Sequence, residues 1–239
     1  MMWRTRIIVY VLAIGTSGTA FADGSTIDKV YDPYVNQLEK EIEYRVLYEQ
    51  DNKRDRLDDN MIHKLGYGQA INDYFFAEVY AVGAGNEDDG FDASAFEVEL
   101  KWQITEQGEL DHDWGFMVEL EKEHDLAAWE LKSTLIGLHE WTDWVGTANL
   151  SLIYEWGKSV RNEVEAAFSS QLRYRYRKGL EPALELYVSD TTTGLGPLLT
   201  GQWRFGSGQN IKWELGSIFG TNDHTPQLTW KFNLEYEFY

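Results

Sequence analysis

From Leu38 to the C-terminus the chain alternates apolar and polar side chains with a period of two, over segments of about nine to eleven residues separated by turn-forming or acidic clusters. The last segment is the clearest. Trp230, Phe232, Leu234, Tyr236 and Phe238 point one way, and Lys231, Asn233, Glu235 and Glu237 the other. Phe96, Val98, Leu100, Trp102 and Ile104 stand against Glu97, Glu99, Lys101 and Gln103 in the same manner. This pattern predicts strands at about 38–49, 60–69, 74–83, 94–105, 114–122, 129–138, 145–156, 163–176, 180–189, 197–206, 210–219 and 229–238. That is about twelve strands, with ten to fourteen as the range the boundaries allow, and no helix of useful length fits after residue 36. The pattern is weakest at 60–69, where Gly66 and Gly68 interrupt it. At 74–83 the facing stays open, because Phe75, Ala77, Val79 and Ala81 are apolar while Tyr74, Phe76 and Tyr80 share a face with Glu78.

The connections fall into two classes. After even-numbered strands they carry tight-turn chemistry, as in Asn72-Asp73, Arg177-Lys178-Gly179 and Gly206-Ser207-Gly208. After odd-numbered strands they are longer or more acidic: 51–59, 83–90, 123–128, 190–194 and 220–227. The connection at 106–113 is longer than its class predicts, and Gly194-Leu195-Gly196 reads as a turn, since no helix follows to make it a phosphate loop. Turns at one end and loops at the other predict an all-β, transmembrane, up-and-down antiparallel β-barrel.

The first 22 residues have a different character. Arg4 and Arg6 precede the short apolar run Ile7 to Gly15, and Ala20-Phe21-Ala22 supplies small residues two apart. This predicts a cleaved secretory signal peptide over 1–22, an N-terminal periplasmic tail over 23–36, which holds Pro33 and has no clean period, and a barrel over 37–239. The apolar run is far short of the roughly 20 residues a spanning helix needs.

Composition then settles which face is outside. The 21 basic and 40 acidic side chains give a net charge of −19, the wrong sign for a nucleic-acid partner, and the absence of cysteine excludes a disulfide framework. Ten tryptophans are many for 239 residues. Trp114, Trp129, Trp144, Trp156, Trp203, Trp213 and Trp230 fall near segment ends, where amphipathic rings favour a bilayer interface. Together with export, this points to the bacterial outer membrane, with the apolar face toward lipid and the polar face lining a lumen. A soluble, lipocalin-like barrel with the opposite facing is the competing reading.

Leu180-Glu181-Pro182-Ala183-Leu184-Glu185-Leu186-Tyr187, Gly194-Leu195-Gly196-Pro197, Trp213-Glu214-Leu215-Gly216-Ser217-Ile218-Phe219-Gly220 and Phe232-Asn233-Leu234-Glu235-Tyr236-Glu237-Phe238 carry a family likeness, joined by Trp102-Gln103-Ile104-Thr105-Glu106 with Gly108. With these segments the chain resembles proteobacterial outer-membrane β-barrels similar to the family named for the meta-pathway of phenol degradation. The resemblance implies an outer-membrane transporter or channel. One departure is the end of the chain, where the lipid-facing phase falls on Phe238 and Tyr239 adds one residue.

The polar face then lines the pore. Its expected members are Glu97, Glu99, Lys101, Glu119, Glu121, Glu165, Arg173, Arg175, Glu185, Arg204, Lys212, Glu214, Lys231 and Glu235, within an inward set where carboxylates outnumber bases. Twelve strands lie between side-chain-filled and open barrels, so a narrow acidic passage for small cationic or neutral solutes is expected. The alternative is that acids and bases pair across the lumen and close it, leaving a structural or ligand-binding barrel. Arg173 and Arg175, one above the other, make a local anion-guiding ladder a minor possibility. Enzymatic activity is not expected: Ser133, Ser170 and Ser217 in the lipid phase have no neighbouring histidine and no GxSxG occurs. No cofactor or metal is expected either, since His63, His112, His124, His139 and His224 form no ligand-spaced pair and Asn86-Glu87-Asp88-Asp89-Gly90 misses the calcium-loop spacing. The expected partners are outer-membrane lipids and lipopolysaccharide, the barrel assembly machinery and a small-molecule solute.

Overall fold

The computed structural model describes residues 26–50, 59–86, 90–124, 127–158 and 160–239. The expected signal peptide over 1–22 lies outside them. Twelve strands follow one another: β1 Lys40–Gln50, β2 Asn60–Ala70, β3 Phe75–Asn86, β4 Gly90–Gln103, β5 Asp113–Glu123, β6 Ala128–Glu140, β7 Trp144–Gly157, β8 Glu163–Tyr174, β9 Glu181–Val188, β10 Thr193–Phe205, β11 Gln209–Gly220 and β12 Leu228–Phe238. Each pairs antiparallel with its sequence neighbours. β12 returns to β1, with Lys40 opposite Phe238 and Gln50 opposite Leu228, so the sheet closes into an up-and-down barrel without a free edge.

The facing follows the alternation. On β4, Phe96, Val98, Leu100 and Trp102 are exposed while Glu97 and Glu99 are buried. On β12, Trp230, Phe232 and Leu234 are exposed while Lys231, Glu235 and Glu237 are buried. A charged interior inside an apolar exterior inverts the arrangement of a soluble barrel. Aromatic pairs sit on the outside at both ends: Trp129 stacks on Trp156 at the loop end, and Trp144 packs tilted against Tyr174 and Trp203 against Trp213 at the turn end.

β3 resolves its facing by placing Phe76, Glu78, Tyr80 and Val82 inward. The glycines that interrupt β2 explain how. A Cβ on Gly66 would stand 2.5 Å from the Tyr80 ring, and one on Gly68 2.6 Å from the Phe76 ring. The two inward aromatics therefore lie across neighbouring glycines that a side chain would displace. Gly194-Leu195-Gly196, expected as a turn, lies inside β10. There a Cβ on Gly194 would meet Ile218, and one on Gly196 would stand 1.8 Å from the Ser217 carbonyl oxygen. Glycine in that triplet serves close approach to β11, not chain reversal.

Candidate functional site

The segment expected as a periplasmic tail lies inside the barrel over its described part, residues 26–36. Val35 N–H donates to Gln103 Oε1 (2.6 Å) and the Tyr34 hydroxyl to Asp113 Oδ2 (2.6 Å), both at the turn end. At mid-depth Tyr31 is gripped on both sides of its backbone. Its N–H donates to Asn149 Oδ1 (2.7 Å), Asn149 Nδ2 donates back to its carbonyl (2.9 Å), and its hydroxyl donates to Glu99 Oε1 (2.6 Å). Its ring packs with Met117 and Ile136. Further along, Ile27 is fully buried with Tyr187 and Ile218, and Thr26 N–H donates to Thr192 Oγ1 (3.3 Å) at the loop end. Ten extended residues reach roughly 33 Å, about the thickness of the hydrocarbon core, so the segment crosses the lumen from end to end.

Between these anchors the segment inserts two opposite charges into the wall. Asp28 Oδ1 accepts from Arg45 Nη1 (2.6 Å) and its Oδ2 from Lys64 Nζ (3.1 Å). Lys29 Nζ donates to Glu43 Oε2 (2.5 Å) and Glu235 Oε2 (3.3 Å). The wall continues the pattern. Arg45 also binds Glu43 (2.7 Å), Lys64 binds Glu97 (2.8 Å), and Tyr80 donates to Glu43 (3.2 Å). Burying charges is tolerated where they meet partners, and here the segment supplies two of the partners.

The structure distributes the sequence-expected pore residues unevenly. Glu97, Glu99, Glu119, Glu185, Lys231 and Glu235 are buried on the inner face. Lys101, Glu121, Glu165, Arg173, Lys212 and Glu214 are half-buried on that face. Several are joined: Lys132 to Glu119 (3.0 Å), Lys231 to Glu185 (2.6 Å), Lys212 to Glu235 (2.9 Å), and Arg173 to Glu181. Arg175 and Arg204 are exposed at the turn end, apart from the buried set. Arg175 meets Glu140 there (2.5 Å). The sequence reading of the site did not reach Asp28, Lys29, Tyr31, Tyr34, Lys64 or Tyr187.

The lumen is not filled along its whole length. A cavity of about 630 Å³ occupies the turn-end half, bordered by residues 29–32 and 34–36 of the segment and by inner-face residues of most strands, among them Glu41, Glu78, Glu99, Arg173 and Lys212. Toward the loop end, Ile27, Tyr187, Leu198, Ile218 and Tyr80 are buried and the passage is closed by side chains.

No family model and no curated protein matches the chain, whereas solved structures do. An outer-membrane channel from Pseudomonas putida F1 is 12% identical over 89% of this chain and 99% of its own, with a TM-score of 0.55. The KdgM porin is 11% identical over 83% and 98%, with a TM-score of 0.53. The β domain of the Bordetella autotransporter Brka is 10% identical over 85% and 100%, with a TM-score of 0.60. The fold is that of a bacterial outer-membrane β-barrel. At these identities the likeness carries the architecture alone, and the meta-pathway family suggested by the strand motifs is not among the findings.

Proposed function

We propose that the chain is a small outer-membrane channel, porin-like in passing small cationic or neutral solutes, and that residues 26–36 hold it closed at rest. The observation that carries this reading is the end-to-end course of the segment beside a 630 Å³ cavity. The cavity is already wide enough for a solute. What separates it from the loop end is the segment, pinned by ion pairs that solvent or solute can replace, together with the wall side chains Tyr80, Tyr187, Leu198 and Ile218.

The supporting electrostatics are those of a carboxylate-rich lumen, which favours cations over anions. Outer-membrane lipids and lipopolysaccharide are the partners suited to the exposed apolar belt and its aromatic ends, and the barrel assembly machinery is the route of insertion. The reading needs no cofactor and no nucleic acid.

The test is planar-bilayer conductance and reversal potential under a salt gradient, on the refolded chain and on a variant lacking residues 26–36. Small or absent steps from the first and large, cation-selective steps from the second are expected. Replacing Glu97, Glu99, Glu119 and Glu121 together by glutamine in the shortened variant should lower the cation preference. Silence from both proteins, each still a folded, heat-modifiable barrel, would sink the channel reading and leave a plugged structural or ligand-binding barrel. That second reading draws its support from the ion pairs across the wall.

A further inference from the structure

The turn-end cavity has two walls of opposite net sign, the acidic one including Lys101 and the basic one Glu140 and Glu181, and the strand order places them face to face. Glu41 on β1, Glu78 on β3 and Glu99 on β4 line one side, and Arg175, Arg177 and Lys178, which follow β8, line the other. In a twelve-membered ring β8 stands six strands from β2, so the basic group is diametrically opposite the acidic one.

Their partnering differs from that of the rest of the lumen. Glu41, Glu78 and Glu99 are each at most 5% exposed, and among the described residues none forms an ion pair, although Glu43, Glu97, Glu235 and Glu237 beside them all do. Lys29, the nearest cation on the segment, is engaged by Glu43 and Glu235. Glu99 receives the Tyr31 hydroxyl and shares a hydrogen bond with Glu97, and Glu78 is hydrogen-bonded to Glu41 and Tyr80 while its Oε1 has no partner. Three carboxyl side chains without an ion pair on one wall leave a surplus of negative charge there that a cation from outside the chain can offset. Across the void Arg175 meets Glu140, while Arg177 and Lys178 have no carboxylate partner among the described residues.

We propose that this cavity is a binding site for small zwitterionic solutes, seated with the ammonium toward Glu41, Glu78 and Glu99 and the carboxylate toward Arg177 and Lys178. The site deepens the channel reading by naming a solute class and rests on it only for the direction of approach. Size agrees. Twelve strands about 4.8 Å apart and tilted by about 40° give a barrel roughly 24 Å across, of which about 10 Å remains between side chains of the two walls. A five- to seven-atom spacer between charges bridges that gap. A monocation finds its donors' partners on one wall only and a monoanion on the other only, whereas a zwitterion satisfies both and leaves the net charge of the cavity unchanged.

The test is isothermal titration of the refolded full chain in detergent with 6-aminohexanoate, against N-acetyl-6-aminohexanoate, which lacks the cation, and 6-aminohexanamide, which lacks the anion. The zwitterion should bind at least tenfold tighter than either blocked analogue. The double variants E41Q/E78Q and R177Q/K178Q, each shown to be a heat-modifiable barrel, should each lose at least tenfold. Equal binding of the amide would overturn the proposal in favour of a simple cation site, and absence of binding by all three would overturn it outright. Because the readout is equilibrium binding, a barrel that binds the zwitterion yet never conducts refutes the channel reading and leaves this site standing.

Discussion

The Tyr31 hydroxyl donates to Glu99 Oε1 at 2.6 Å, tying a residue of the N-terminal segment to a wall carboxylate 68 positions later in the chain. Both groups are buried, and the bond joins an N-terminal stretch outside the sheet ladder to β4. Tyr31→Phe keeps the ring against Met117 and Ile136 and removes only this donor. The variant should lose about 1–3 kcal/mol in urea unfolding, since Glu99 is left buried with an unpaired acceptor. No change in midpoint would mean that the segment is not docked at Glu99 in solution.

Asp28 is the more demanding position. It is shared by Arg45 and Lys64, and Arg45 is among the largest fully buried side chains. Asp28→Asn keeps the shape and removes the charge, leaving Arg45 with Glu43 alone. Breaking one partner of a buried pair costs about 3–5 kcal/mol, so Asp28→Asn should unfold well before the parent chain. Asp28→Asn combined with Arg45→Met should recover part of the loss, which a double-mutant cycle reads directly.

Leu38 has φ of 62°, in the left-handed region that branched and bulky residues avoid. It sits where the chain leaves the lumen and reverses into β1, and its side chain is 79% exposed, so packing does not compensate the backbone cost. Proline fixes φ near −65° and is incompatible with that reversal. Leu38→Pro should therefore release the segment while the barrel stays heat-modifiable, and a cysteine at Val30 should become labelled by a water-soluble maleimide. A protected cysteine in the proline variant would show that the segment is held independently of its hinge.

The glycines of β2 offer a test of interior packing. Tyr80 is fully buried and tethered by hydrogen bonds to Arg45 and Glu43, so its ring has nowhere to swing when a methyl group appears at Gly66. Gly66→Ala should cost about 1–3 kcal/mol, and most of that cost should vanish in a Tyr80→Ser background. On the outer face, Leu100→Arg should cost roughly 2–4 kcal/mol in lipid, and a harmless outcome there would mean the two faces are inverted.

The barrel was legible because each of its strands has two faces in different media. Trp230 to Phe238 declares its register from alternation alone, and the observed β12 departs from the expected span by one residue at its start. Legibility fell where a strand touches protein on both its flanks and face. Ala84 to Asn86 and Gly90 to Ala93 extend β3 and β4 beyond the expected spans through glycine-containing sequence after a register shift at Val82/Gly83, which no period records. The segment is the extreme case. Packed against the wall at some residues and bordering the cavity at others, it buries Ile27 and Tyr31 beside the lumen-bound charges of Asp28 and Lys29, so no alternation distinguishes it from a loop. Of the site, the inward carboxylates were visible from their phase, whereas their partners were not, because Arg45 to Asp28 and Tyr31 to Glu99 depend on where an aperiodic stretch comes to rest.

The hinge at Leu38 makes the segment an intramolecular ligand on a very short tether. A peptide held this way meets Arg45, Lys64, Glu43 and Glu235 at an effective concentration in the millimolar range or above, whatever its intrinsic affinity. A free solute competing for those groups must therefore be abundant, or arrive with charges the segment does not offer. On the proposed channel reading, occupancy of the lumen then tracks solute concentration in the compartment facing the turns, and scarcity of solute keeps the barrel shut.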